Sequence, residues 1–108
     1  MVKISPPALT VQLVQHAGQV VLAAEGEIDL STVVHFRRAL AEAGELHAPT
    51  LIVDLAAVRY LDSSAIYALL ETWAARNRDP TRLQIVVARP SLGYALRLAG
   101  LEAVVRVG

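Results

Sequence analysis

The chain has 108 residues, enough for one domain with a single hydrophobic core, and we treat residues 1–108 as that domain. Its ten basic and ten acidic residues balance, and they form no basic stripe of the kind expected for direct binding of nucleic acid. No apolar run approaches the ~20 residues of a membrane span, and the absence of cysteine removes disulfides and thiolate metal sites.

The first predicted elements are a lead-in and a hairpin. The start, MVKISPPALT, lacks the apolar stretch of a secretory signal, so a cytoplasmic protein is expected. Its two prolines predict a short extended lead-in. Leu9, Val11 and Leu13 alternate with polar residues, as on a half-buried strand. The turn sequence HAGQ leads into VVLAAEGEI, so the first two strands are expected to pair.

The middle of the chain predicts a helix, a strand and a second helix. Ser31 or Thr32 can cap the first helix, and Gly44 lies near its end. The run TLIVDL predicts a central strand that ends near Leu55 and is covered on both faces. Apolar residues at helical spacing define the buried faces of the two helices: Val33, Phe36, Leu40 and Ala43 in the first, and Ile66, Leu69, Leu70 and Trp73 in the second.

The last third predicts strand, helix and strand. NRDPTR ends the second helix, and LQIVVA is a short buried strand. A third helix carries Ser91 as its candidate cap and Gly100 in the left-handed position after its end, and AVVRV closes the chain as a strand. Its apolar face is Leu92, Ala95, Leu96 and Ala99.

These elements predict a single α/β domain in the order β-β-α-β-α-β-α-β. A hairpin followed by crossover helices implies a mixed sheet with packed helices, and its parallel crossovers should be right-handed. Arg76, Arg78 and Arg82 are interpreted as an exposed helix end and loop, where cations suit the helix dipole.

The junction RYLDSSA carries the candidate site. It lies where ligands and partners of open α/β sheets are usually bound, beyond the carboxyl end of a strand. Asp62, Ser63 or Ser64 can cap the following helix. One cap needs only one such residue. A hydroxyl at a helix N-terminus can also carry a phosphate, because free N–H groups and the helix dipole stabilise the added charge.

Enzymatic readings find little support in the sequence. No G-x-S-x-G motif surrounds the serines, although His16, His35 or His47 could fold into range of them, so a serine hydrolase stays open as a remote alternative. No cluster has metal-ligand spacing, and no P-loop or dinucleotide motif is present. We expect a protein that is not an enzyme and uses no metal or cofactor.

Three segments in order resemble the STAS family, and within it the free-standing bacterial anti-sigma factor antagonists. LAAEGEIDLST resembles the family's G-E-L/I-D segment. LIVDLAAVRYLDSSAIYALL resembles its strand and D-S-S/T-G loop. VVARPSLGYALRLAGLEAVVRV resembles its final strand, helix and strand. The resemblance covers nearly the whole chain and implies the STAS fold.

The resemblance also implies a regulatory switch. In such antagonists, the first serine after the loop aspartate accepts a phosphoryl group from the anti-sigma factor, which is itself a serine kinase. That residue is Ser63 here, and phosphorylation would end binding until a serine phosphatase restores it. The implied partner surface comprises Asp29, Asp62, Ser63, Ser64, Ala65 and Tyr67.

Two departures and one alternative accompany this expectation. Ala65 and Tyr67 stand where the family pattern often has glycine. Ala65 suits the first turn of a helix, and Tyr67 places a bulky ring near the partner surface. The alternative function is a STAS adaptor subunit of a transport or stress-signalling complex, using the same surface without phosphorylation. Neither function calls for direct contact with nucleic acid or with a membrane.

Overall fold

Five strands form one mixed sheet in which the strands follow the order of the sequence. β1 runs antiparallel to β2, and the remaining neighbours are parallel. The computed structural model describes residues 8–108, and the predicted lead-in at residues 1–7 lies outside them. The strands are β1 Leu9–His16, β2 Gln19–Ile28, β3 Thr50–Leu61, β4 Leu83–Val87 and β5 Val105–Val107, and the helices are α1 Val33–Glu45, α2 Ser63–Ala75 and α3 Pro90–Leu96.

The element order confirms the α/β prediction. The hairpin between β1 and β2 turns at two residues of positive φ, Ala17 and Gly18, as a tight two-residue turn requires. Gly100 has a φ of 110°, as predicted, and lies within a π-helical turn, Arg97–Leu101, that extends α3. No helix within residues 8–108 is long and apolar enough to cross a membrane.

The sheet is covered by the helices on one face, which corrects the prediction for TLIVDL. Leu51, Val53 and Leu55 are buried beneath the helices, whereas Ile52 and Asp54, which point to the other face, are only partly buried. A continuous apolar run therefore does not show here that both faces are covered. Ile52 on the second face makes the run apolar without being fully buried.

β3 is also longer than predicted. It does not end near Leu55 but continues to Leu61, because its second half pairs with the end of β2. Two irregularities in this pairing add residues to β3, one of them at the exposed Ala56 and Ala57. The extension carries the end of β3 directly to the helix that follows, so the predicted loop is absent.

The helices present slightly different faces and caps from those predicted. In α1, Phe36, Leu40 and Ala43 are buried as expected, whereas Val33 is half-buried. In α2, Leu69 and Trp73 are buried as expected, but Ala65 and Ala68 complete the buried face while Ile66 and Leu70 are half-buried. α3 begins at Pro90 rather than after a Ser91 cap, and Gly93 takes the buried place predicted for Ala95, which is exposed.

Arg76 corrects the interpretation of the arginine cluster as exposed. Its side chain is buried at the end of α2, and Nη1 donates to the carbonyl oxygens of Ala48, Pro49 and Arg82 at 3.2, 3.3 and 3.0 Å. Burial, and secondarily the charge of Arg82, lowers the pKa of Arg76. Arg78 is exposed, as predicted. Arg76 therefore joins the end of α2 to the chain segments that flank β3 and β4.

Candidate functional site

The junction between β3 and α2 consists of the single residue Asp62. Its backbone is extended, and its carboxylate accepts a hydrogen bond from the backbone N–H of Ser64 at 2.9 Å. The hydroxyl of Ser64 donates to the same carboxylate oxygen. Asp62 is thus the N-cap of α2, and Ser64 is bound to it through two groups. Of the three residues that the sequence offered as candidate caps, Asp62 is the one that caps α2.

Ser63 is the first residue of α2, and its side chain is exposed. Among residues 8–108, its hydroxyl forms no hydrogen bond to a protein group, in contrast to Ser64. It lies in the first turn, where backbone N–H groups have no partner within the helix. Ser63 is therefore the one polar side chain of the junction that capping leaves available for chemistry.

Asp29 follows the last residue of β2 and organises the start of α1. Its Oδ1 accepts from the hydroxyl and N–H of Ser31 at 2.6 and 2.9 Å, and from the N–H of Thr32 at 3.2 Å. The Ser31 hydroxyl is the largest of the causes that lower the pKa of the Asp29 carboxyl. Asp29 therefore stays ionised at neutral pH.

Thr32 occupies the N-cap position of α1, but its side chain does not cap the helix. Its hydroxyl donates to the carbonyl oxygen of Glu27 and accepts from the N–H of Asp29, both at 2.9 Å. The prediction that Ser31 or Thr32 supplies the cap is corrected accordingly, since the aspartate accepts the N–H groups of both residues.

Pairing of β2 with β3 brings the two aspartates to one edge of the sheet. Ile28 pairs with Leu61, and the N–H of Asp62 donates to the carbonyl oxygen of Ile28 at 3.1 Å. Asp29 and Asp62 therefore follow neighbouring strand ends. The Asp62 carboxylate accepts from an N–H group in the first turn of α2, the Asp29 carboxylate accepts from the turn before α1, and Ser63 follows Asp62 directly.

The surface around Ser63 carries exposed apolar and aromatic groups. Tyr67, one turn along α2, is 64% exposed, so a partner could reach its ring. Leu30, Val34 and Tyr60 are also exposed, although the sequence did not single them out. The adjacency of Leu30 to Asp29 and of Tyr60 to Leu61 in the sequence is the signal that could have identified these two residues. Ala65, predicted to contact a partner, is buried against the core, so a partner could not reach its side chain.

Metal ligation has no obvious place in this site. No group of three or more histidine, cysteine, aspartate or glutamate side chains within residues 8–108 is arranged to hold a metal ion. Asp62 accepts from the N–H of Ser64 in α2, and Asp29 accepts from the N–H groups of Ser31 and Thr32 just before α1. Asp62 therefore caps α2, and Asp29 holds the turn that leads into α1.

Comparison with known proteins identifies chains with similar sequences and similar folds. A family model described as "Mlab, STAS domain" matches residues 11–106. The anti-sigma-F factor antagonist RsfB of Mycobacterium tuberculosis is 35% identical over 103 residues, which span 95% of this chain and 84% of RsfB.

Solved structures with a similar fold include two antagonists. An anti-sigma factor antagonist from Mycobacterium paratuberculosis superposes with a TM-score of 0.80 and 28% identity, covering 92% of this chain and 85% of that one. The anti-sigma factor antagonist SpoIIAA in its unphosphorylated form gives a TM-score of 0.75 at 20% identity, covering 92% and 88%. The second likeness bears on the fold alone.

Proposed function

The chain belongs to the STAS domain family, and we propose that it acts as an anti-sigma factor antagonist that phosphorylation of Ser63 switches off. In its unmodified form it would bind an anti-sigma factor and so release a sigma factor. The anti-sigma factor would also be the serine kinase, and a serine phosphatase would reverse the modification. These partners would place the protein in the cytoplasm.

One observation carries the choice of residue. Of the three polar side chains at the junction, Asp62 caps α2 and Ser64 is bound to Asp62, which leaves the exposed hydroxyl of Ser63 free. In the proposed reaction, the Ser63 oxygen forms a bond to the γ-phosphorus of ATP, the bond from that phosphorus to ADP breaks, and the kinase takes the hydroxyl proton. Phosphorylation would break no hydrogen bond on which the fold depends.

The same geometry supports a loss of binding after phosphorylation. A phosphoserine carries a charge of about −1.5 to −2 at neutral pH. The first turn of α2 can stabilise that charge within the domain. A partner that covers Tyr67 and the neighbouring apolar groups would have to remove it from water, which is costly without a matching cation. The partner surface in this proposal comprises Asp29, Asp62, Ser63, Ser64 and Tyr67.

The acceptor is tested by phosphorylation of matched serine variants. Incubated with the cognate kinase and ATP, the wild-type protein is expected to gain one phosphate, Ser63→Ala none, and Ser64→Ala one. Intact-protein mass spectrometry measures the gain. Labelling that persists in Ser63→Ala but disappears in Ser64→Ala would refute the assignment. No phosphate on the protein isolated from its host under any growth condition would favour the adaptor alternative.

A negative charge at position 63 is expected to weaken partner binding while leaving the domain folded. The free energy of unfolding of Ser63→Asp should lie within about 1 kcal/mol of the wild-type value, because negative charge is favourable at a helix N-terminus. Its affinity for the anti-sigma factor should fall by at least about tenfold, because the added charge lies within the contact surface. Thermal unfolding and calorimetric titration measure the two quantities.

Ser63→Asn is the matched control, because it has nearly the size of the aspartate without its charge. It is expected to bind the anti-sigma factor more tightly than Ser63→Asp. Equal weakening by the two variants would mean that side-chain size, and not charge, disrupts the contact. A large loss of stability in Ser63→Asp would contradict the proposal that this position tolerates a phosphate.

A further inference from the structure

A cavity of about 510 Å³ lies between α1 and α2, at the opposite end of α2 from Ser63. Its volume is in the range of small-molecule sites. Arg76, at the C-terminal end of α2, lines it, so the cavity is a feature separate from the junction. Apolar side chains from both helices and from β3 contribute to its wall: Leu40, Ala41, Leu51, Ala68 and Ala75.

The charged groups of the cavity are predominantly basic. Arg37, Arg76 and Arg82 line it together with His47, and Glu71 is its one carboxylate. Glu71 already pairs with Arg37 at 2.9 Å. Within the described part of the chain, neither Arg76 nor Arg82 forms an ion pair with an acidic residue. Hydrogen bonds from Thr81, and to a smaller degree the charge of Arg82, lower the pKa of the Asp79 carboxyl, so Asp79 partly offsets the charge of Arg82. Arg76 lines the cavity with no acidic partner among residues 8–108.

Two donor atoms of Arg76 form no hydrogen bond within the described part of the chain. Its three hydrogen bonds to carbonyl oxygens all come from Nη1. Nε and Nη2 donate to no protein group in residues 8–108, and neither atom is fully buried, although the residue as a whole is 6% exposed. The Nε–Nη2 edge of a guanidinium holds a carboxylate or phosphate through two parallel hydrogen bonds.

The electrostatic environment of Arg76 favours an anion in the same place. Burial lowers the pKa of Arg76, and the charge of Arg82 lowers it further. An anion between the two arginines would interact favourably with both of them.

From these contacts we propose that the cavity binds a small organic anion. Arg76 and Arg82 hold its carboxylate or phosphate group, and its apolar body lies against the side chains of Leu40, Ala68 and Ala75. The site is independent of the proposed modification of Ser63. Its ligand would be an amphipathic carboxylate or organophosphate, which the proposed binding of an anti-sigma factor does not require.

The test is a titration of the whole protein with three six-carbon probes, namely hexanoate, hexyl phosphate and hexanol, followed by amide NMR spectra. At least one of the two anions should bind saturably with a dissociation constant below about 1 mM and shift the amides of Ala68 and Ala75. Hexanol should bind about tenfold more weakly or not at all, because it lacks the charge. The tighter of the two anions identifies the head group as carboxylate or phosphate.

Two arginine variants test whether anion binding depends on an arginine that lines the cavity. Arg82→Gln removes a charge that lines the cavity and should weaken binding of the anion by about tenfold. Arg78→Gln is the control, because Arg78 is an exposed arginine of the same segment that does not line the cavity, and its effect should stay within about twofold. Absence of saturable binding by both anions, equal binding of hexanol, or equal effects of the two variants would overturn the proposal.

Discussion

Replacement of Trp73 by alanine is expected to lower the free energy of unfolding by about 3–5 kcal/mol. The indole is 7% exposed and belongs to the main hydrophobic core, on the face of α2 that also buries Ala65 and Leu69. Removing it leaves a cavity between the helix and the sheet that backbone relaxation can fill only in part. Trp73 is the only tryptophan, so circular dichroism rather than fluorescence should follow unfolding in urea.

Trp73→Phe is the control, because it keeps an aromatic ring in the core and should lose less stability than the alanine variant. Ser63 precedes Trp73 by about 15 Å along the helix at 1.5 Å per residue. Any loss of partner binding by Trp73→Ala should therefore follow the fraction of unfolded protein. A folded Trp73→Ala protein that fails to bind would mean that the interface extends along α2 beyond the junction.

Gly26→Ala is expected to destabilise the protein by about 3–4 kcal/mol, from backbone strain together with steric overlap. Gly26 has a φ of 115°, which residues with a Cβ rarely adopt. A Cβ at this position would lie 2.1 Å from the carbonyl oxygen of Ala8. That oxygen accepts a hydrogen bond from the N–H of Glu27 at 2.8 Å, so the start of β1 would have to move away from β2.

Gly18→Ala provides the comparison that separates the two causes. Gly18 also has a positive φ, 82°, but a Cβ there would meet no atom within 4 Å. Its substitution should cost about 1–2 kcal/mol, from the backbone alone. Chemical denaturation of both variants gives the difference. Equal losses would show that β1 can shift away from Gly26 at little cost.

The order of the elements could be predicted because each one is encoded locally. Alternation at Leu9, Val11 and Leu13 and the helical spacing of Phe36 and Leu40 need no knowledge of distant residues. The end of β3 could not be found in this way. Its continuation to Leu61 depends on pairing with the end of β2, which lies more than 30 residues earlier in the sequence.

The position of the candidate site in the fold could be predicted from the sequence, but the hydrogen bonds of its side chains could not. The sequence places Asp62, Ser63 and Ser64 at a helix start, and any of them could have been the cap. Only the hydrogen bonds assign the cap to Asp62 and leave Ser63 free. Arg76 shows the same limit, because the carbonyl oxygens that bind it belong to residues 6 to 28 positions away.

The single-residue connection at Asp62 also restricts how the length of this chain can vary. β3 ends at Leu61 and α2 begins at Ser63. An inserted residue would therefore either disrupt the pairing of β3 with β2 or rotate α2 about its axis by about 100°. Either change would move Ser63 relative to Asp29. The connections before β3 and after α2 are longer and place exposed residues such as Pro49 and Pro80 at the surface. Insertions, affinity tags and reporter peptides should therefore be tolerated better near the exposed Pro80, away from the carbonyl groups of Ala48, Pro49 and Arg82 that bind Arg76, while the chain from Leu61 to Ser64 keeps a fixed length.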